Sequence, residues 1–373
     1  MITPSFLSAA SDQVMKLYAQ LETDIKVAMC KRLAQLGKIT DATKWQAKIL
    51  AQVAPLSANI DAIIAKYDRT VQVQIKQLFA RIVQEIPKSI TDNQKQMLSA
   101  SAGYDSLIVD LANITKSSTA TSEFLSVANA MYMKASSGAF SYQEAIKDAV
   151  DEMASKGLTT LKYSDRPRSV ESVARSCVLT SLGQAAGSQS LQNAEDTGTD
   201  LVVVSAHMGA RHTDNPQNPW SNHDEWQGKV FCLSGERDYT DENGNTKHAP
   251  NFYTACGYGE ADGICGINRR HTFYPYYEGL STQPDNEELK DYRRKDLELD
   301  GRKVSRYEVE QAMRGCERRI REWKRKADCQ NVAGLDNSFA MQRLQHWQSA
   351  RQHISKQTGI PADYAREYIG KVK

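Results

Sequence analysis

Apolar residues recur at three- and four-residue spacing through most of the first 150 positions, the period of an amphipathic helix. Val14, Leu17, Tyr18, Leu21, Ile25, Ala28 and Met29 form one such stripe. Thr40 opens a second, running through Trp45, Ile49 and Val53 and expected to stop before Pro55, because proline removes a helical hydrogen bond. A third is expected from Ser57 to Ile86, ended by Pro87, with Ile60, Ile63, Ile64, Tyr67, Val71, Ile75, Leu78 and Ile82 on its apolar side. Shorter helices are predicted over Asp92–Ala112, Ser122–Ser136 and Ser141–Lys156, and another over Ser169–Asn193.

The period then changes. Leu201–His207 and Gly228–Gly235 read as short buried strands, and His271–Tyr277 as an aromatic strand that Pro275 assigns to a sheet edge. Glu242-Asn243-Gly244-Asn245 between polar flanks is a hairpin signal. Beyond Pro284 the chain is expected to return to helix, first over the charged stretch Asn286–Lys326 and then over Ser338–Thr358, with Pro361-Ala362-Asp363 capping a terminal turn. The fold class is therefore α+β and predominantly helical. Residues 1–156 are expected to form a helical arm or bundle, 157–283 a small loop-rich α+β domain, and 284–373 a basic helical C-terminal region.

Composition narrows this little: 373 residues, 40% hydrophobic and 25% charged, describe a globular chain of more than one domain. The net charge of +2 hides an asymmetry, since 20 Lys and Arg face 15 Asp and Glu from Pro284 onward. No run of 18 apolar residues predicts a membrane span, and the N-terminus lacks the basic and apolar regions of a secretory signal. Seven cysteines, an odd number without disulfide-scaffold spacing, point to a reducing compartment with free thiols or a bound metal.

Candidate chemistry concentrates between Ser205 and Gly279, which holds five of the seven histidines. His207, His223, Cys256, Cys265 and His271 are possible zinc ligands, although no tight C-x2-C or H-x3-H pair is present. The alternative is that these imidazoles hydrogen-bond irregular loops. Ser205, His207, His223 and Asp224 could form a nucleophile–base set, and His207, His223 and His271 a metal-water site. The nucleophile elbow and the H-E-x-x-H helix are both absent from the sequence. The glycines of Gly257–Gly266 lack the Gly-Lys-Ser/Thr of a phosphate loop. In Arg314–Lys326 seven of thirteen residues are basic, so Arg318, Arg319, Arg321, Lys324 and Arg325 are candidates for DNA contact, with a solvated helix as the alternative.

Longer motifs carry a resemblance. Ser205-Ala-His-Met-Gly-Ala-Arg211, His223-x2-Trp226-Gln-Gly-Lys-Val-Phe231, Gly257-Tyr-Gly259 and Gly263-Ile-Cys265-Gly-Ile-Asn268-x-Arg270-His271-x-Phe273-Tyr-Pro275 resemble the phage minor capsid protein 2 family, related to Mu-F-type head morphogenesis proteins. Val173-Ala-Arg175-x4-Thr180 and Tyr307…Arg314…Glu317-Arg-Arg-Ile-Arg321 resemble it too, so the likeness runs from about Ser141 to Lys373. It marks Ser205, His207, Gly209, Arg211, His223, Trp226, Gln227, Gly228, Gly257, Gly259, Cys265, Gly266, Asn268, Arg270, His271 and Pro275 as signature positions of a structural kind. Where the family usually has Asn-Cys-Arg-His, this chain has Asn268-Arg269-Arg270-His271, which weakens a cysteine-ligand reading. The resemblance implies a virion protein made in the bacterial host cytoplasm: a minor head component at the portal vertex or capsid interior, with no resident cofactor. Its partners would be the portal protein or major capsid protein and packaged double-stranded DNA, and its roles head morphogenesis, DNA packaging or ejection. The alternative from another class is a metal-dependent hydrolase or nuclease carried in the head.

Overall fold

A computed structural model describes residues 4–36, 42–84, 102–116, 118–137, 141–155, 157–160, 168–206, 210, 217–283 and 294–372. Helix dominates, accompanied by four small antiparallel sheets among the described residues.

Helix α1 (Pro4–Gln35) is buried on most of its sides and sits at the centre of a helical bundle, burying Leu7, Val14, Leu21, Ile25, Met29 and Leu33 together with the polar Ser11, Glu22, Thr23 and Lys26. It is flanked by α2 (Ala42–Gln84), α5 (Tyr142–Ser155) and α6 (Val170–Thr197), while α3 (Ala102–Lys116) and α4 (Ala120–Ser136) complete the layer. The helix expected to stop before Pro55 does not: α2 runs through it as one 43-residue element. Its buried stripe, Trp45, Ile49, Leu56, Ile60, Ile64, Tyr67, Val71, Ile75 and Leu78, continues in register on both sides of the proline. That continuous burial outweighs the roughly 3 kcal/mol cost of an internal proline. By length and composition alone Lys44–Arg81 would suffice to cross a membrane; here the stripe packs against α1. Thr40, the end of the expected third helix with Ile86 and Pro87, and the part before Ala102 of the helix expected over Asp92–Ala112 lie outside the described residues.

Helix α6 links the bundle to the central sheet. Ser169 caps it by accepting from Ser172 N–H, and Gly198 closes it in the left-handed conformation at φ 70°. Its first half, from Val173 to Ala186, joins the bundle core, and near its end Ser190 donates to Phe273 O. A short ladder, β1 (Thr159–Thr160) with β2 (Arg168–Ser169), precedes it.

The central sheet has the order β4-β3-β7, with β3 (Leu201–Val204) between β4 (Val230–Cys232) and β7 (Phe273–Pro275). Val202 faces Phe231 on one side and Pro275 on the other, so the proline occupies an edge strand. All four β3 residues are buried because both faces of the sheet are covered. Val202 and Val204 pack with Trp226, Phe252 and Phe273, whereas Leu201 and Val203 pack with Tyr239 and Tyr276. The hairpin signal is borne out by β5 (Arg237–Thr240) and β6 (Thr246–Ala249), joined through Asp241, whose carboxylate accepts Asn243 N–H and Asn245 N–H at 2.9 and 2.8 Å.

The C-terminal region departs from expectation at its start. Instead of unbroken helix it contains a hairpin, β8 (Leu297–Leu299) and β9 (Arg302–Val304). Asp300 and Gly301 turn it at φ 51° and 74°. Two successive positive φ values are what Asp-Gly supplies most readily, and the charge of the surrounding residues masks that signal. Ser305 and Glu308 then form a reciprocal capping box for α9 (Arg306–Val332), which pairs with α10 (Ser338–Thr358). Asp363 caps a terminal 3-10 turn (Tyr364–Glu367), as its position after Pro361 leads one to expect.

Candidate functional site

Three short segments meet beside the end of β3: the turn into α7 (His223–Trp226), the loop 257–271, and Ser205. Asn218 and Ser221 cap the 3-10 turn Pro219–Ser221, which delivers Trp220 and leads into α7. Trp226 donates its indole N–H to Trp220 O at 3.0 Å, and Trp220 donates its own to Asp262 Oδ1 at 2.8 Å. His223 Nε2 lies 3.3 Å from Asp262 O. Spacing does not single out Trp220 or Asp262, which are joined only by folding.

Loop 257–271 follows α8 (Phe252–Cys256) and is bent by backbone that needs glycine. Gly257 is left-handed at φ 61°, and a Cβ there would lie 2.4 Å from the Trp220 ring. Gly263 abuts Gly257 O so closely that a Cβ would fall 1.9 Å from it. Cys265 and Asn268 also take positive φ, 57° and 58°, and Asn268 N–H is anchored on Thr180 Oγ1 of α6 at 3.0 Å. Gly259 and Gly266 sit in the same turns, and Gly228 returns its N–H to Val204 O.

Ser205 ties this loop to β3. Its hydroxyl accepts Thr272 N–H at 2.9 Å, its N–H donates to Thr272 O, and its carbonyl accepts His271 Nδ1–H at 3.0 Å. A carbonyl can only accept, so Nδ1 carries the hydrogen and the neutral ring keeps its lone pair on Nε2. The His271 ring stands edge-on to His223 and Trp226, with centroids at 5.2 and 4.8 Å, and both histidines are buried. Gln227 donates to Asp224 Oδ1 at 3.1 Å. The arrangement fixes β3, α7 and the loop to one another through polar groups withdrawn from water.

The candidate metal ligands divide. His223 and His271 come together, whereas Cys256 and Cys265 lie in the apolar cluster beneath the sheet with Phe252 and Phe273. Burial pushes the Cys265 thiol up to about 12 and the Cys256 thiol upward as well, which disfavours the thiolate a metal requires. Among the described residues no three His, Cys, Asp or Glu side chains converge to hold a metal ion. His207, Gly209, Arg211 and His212 lie outside the described residues. All seven cysteines are free thiols.

The candidate DNA-contacting residues also divide. Arg321 pairs with Glu171 at 3.3 Å, Lys324 donates to Glu367 O at 2.9 Å, and Arg325 binds Glu22 at 3.3 Å and Ala154 O at 3.2 Å. These three fasten α9 to the rest of the molecule. Arg318 and Arg319 are exposed, the latter paired with Glu322 at 2.8 Å.

Comparison with known proteins shows to which family the sequence belongs. The sequence model of the phage minor capsid protein 2 family matches residues 2–355, so the likeness extends through the N-terminal helices, where no motif is recognisable by eye. The chain is similar to a structural protein of Lactococcus phage LL-H, 25% identical over 354 residues, covering 90% of this chain and 87% of that one. It is also similar to a structural protein of Lactococcus phage mv4, 30% identical over 121 residues, covering 31% of this chain and 89% of that one. No solved structure matches it. The chain belongs to the phage minor capsid protein 2 family.

Proposed function

We propose that this protein is a minor structural component of a tailed-phage head, bound to the portal protein or major capsid protein at the portal vertex or capsid interior. In that place it would act in head morphogenesis, DNA packaging or ejection. It would be made in the host cytoplasm and incorporated in few copies. The observation that carries the reading is the family match over nearly the whole chain, bundle and motif module together. The geometry is compatible with an architectural role: the signature residues Ser205, His223, Trp226, Gly257, Asn268 and His271 spend their polar groups and backbone freedom on fixing loops.

Co-sedimentation of the purified chain with assembling portal and capsid protein tests the proposal. Association in substoichiometric amounts and recovery in purified heads are expected; a chain that stays in the supernatant under assembly conditions rejects it. The second reading, a metal-dependent hydrolase or nuclease, rests on the buried His223–His271 pair. Elemental analysis separates the two, because that reading requires stoichiometric metal lost on His271→Ala.

A further inference from the structure

Where α6, α9, the signature loop and the terminal 3-10 turn meet, an open cleft of about 280 Å3 is lined by six arginines: Arg175, Arg270, Arg314, Arg318, Arg321 and Arg366. Two glutamates, Glu171 and Glu317, share it. The countercharges are unevenly used. Arg175 binds Asp12 at 2.7 Å, Arg321 takes Glu171 at 3.3 Å, and Arg366 has Asp363 at 2.9 Å. Arg314 reaches Glu310 only at 3.9 Å, and its Nε is buried without a hydrogen-bond partner. Among the described residues neither the Arg270 nor the Arg318 guanidinium has an ion pair or hydrogen bond.

A guanidinium cannot relieve crowding by losing its proton. Burial, then the charges of Arg366, Arg314 and Arg175, hold Arg270 below the ordinary guanidinium range, with Asp12 pulling the other way. Glu317 offers less compensation than its charge suggests, because burial raises its carboxyl above the usual range. Their backbone positions are also fixed in advance. Arg314, Arg318 and Arg321 follow i, i+4, i+7 spacing along one face of α9. Arg270 follows the left-handed Asn268 that is pinned on α6. Cations held together without sufficient countercharge constitute a preorganised anion site.

We propose that this cleft binds a compact phosphate-class oxyanion between Arg270, Arg314 and Arg318. Its concavity suits a single phosphate group rather than the convex side of a duplex, whose phosphates would need cations spread along a surface. This makes Arg270 of the family motif an anion ligand, separate from the histidine cluster that follows it. The inference is independent of the head-assembly reading, because anion binding is measured on the isolated chain.

Titration of the full chain with inorganic phosphate, followed by calorimetry and thermal melting against sodium chloride of equal ionic strength, tests it. Phosphate is expected to bind and to raise Tm where chloride does not. Arg270→Gln and Arg318→Gln are each expected to weaken binding about tenfold, as for loss of one charge-assisted hydrogen bond. Arg318 is exposed and bonded to nothing described, so its variant keeps the fold. Arg319→Gln, outside the cleft, leaves binding unchanged. A short single-stranded DNA that competes with phosphate makes nucleic acid the source of the group; one that does not compete makes it a free anion or nucleotide. Equal effects of phosphate and chloride, or binding indifferent to Arg270→Gln and Arg318→Gln, would overturn the proposal.

Discussion

At the scale of single residues, a few buried charges depend closely on their partners. Arg351 and Glu367 form an ion pair with side chains only 3% and 4% exposed, and Arg351 also lies 4.4 Å from the Tyr364 ring centroid. Removing one partner strands the other without solvent. Glu367→Ala is expected to cost about 3–5 kcal/mol, read as a lower denaturant midpoint. The paired change Arg351→Met with Glu367→Leu recovers much of that loss, since no unpaired charge then remains. Asp200 behaves differently because it is partly exposed. Hydrogen bonds from Arg237 and Ser234 lower its carboxyl from the ordinary 3.8 to about 2. Backbone hydrogen bonds, Asn245 N–H foremost, and Lys247 bring Asp241 to about 2 in the same way. A depressed folded value means that the stabilisation is complete above the unfolded value and is lost as pH falls through the folded one. The central module is therefore expected to lose stability between about pH 4 and pH 2. Asp200→Asn should destabilise it at neutral pH and flatten the acid limb of its melting profile relative to the unsubstituted chain; parallel limbs would disprove the assignment.

At the scale of elements, legibility depended on where each element's signal came from. Helices α1 and α6 announce themselves through apolar spacing, and the run Leu201–Val204 through β-branched residues, because those patterns are local consequences of burial. Pro55 misleads because its cost is local whereas the packing that overrides it belongs to α1, a different segment. The β8–β9 hairpin is hidden because Asp300-Gly301 sits among charges that read as a solvated helix. In the candidate site the glycines and histidines were visible as residue types, but Trp220, Asp262 and Thr272 owe their roles to contacts across the fold. The basic run of α9 has a similar ambiguity, which its partners resolve. Arg325 reaches Glu22 on α1 and Ala154 O on α5, whereas Arg319 is 58% exposed and tied within its own helix. Arg325→Ala is expected to lower stability by about 2–4 kcal/mol, since Glu22, nearly buried, would lose its cation. Arg319→Ala should change stability by less than about 0.5 kcal/mol. Equal losses in the two variants, measured by urea unfolding, would show that α9 is not fastened through Arg325.

At the scale of the whole molecule, the two ends of the chain are one structure. After the terminal 3-10 turn the last residues lie along α1. Gln20 Nε2 donates to Lys371 O and Lys371 N–H returns to Gln20 Oε1, both at 2.8 Å, while Thr23 donates to Ile369 O. Gly370 makes the approach possible: at φ 89° it lies so close that a Cβ would stand 2.9 Å from Gln20 Cα. α1 is also the helix against which α2, α5, α6 and α9 pack, so a tail that grips α1 is coupled to the bundle core. Terminal segments are ordinarily the most tolerant of change, and a loosely attached tail would be dispensable. Here the bonds predict the opposite. Truncation after Thr358 removes Glu367 together with its hold on Arg351 and Lys324, and leaves α9 secured to the bundle by fewer groups. The shortened chain should melt at a lower temperature throughout, with helices α1 and α9 losing amide protection together rather than the tail's neighbours alone. Gly370→Ala isolates the contact without deleting it: the strained backbone and the clash with α1 should lift the tail, costing about 1–3 kcal/mol. Hydrogen exchange decides the matter. Increased exchange at Gln20–Thr23 and across α9 is the expected result, and an effect confined to the residues after Asp363 would mean that the tail rests on α1 without contributing to its stability.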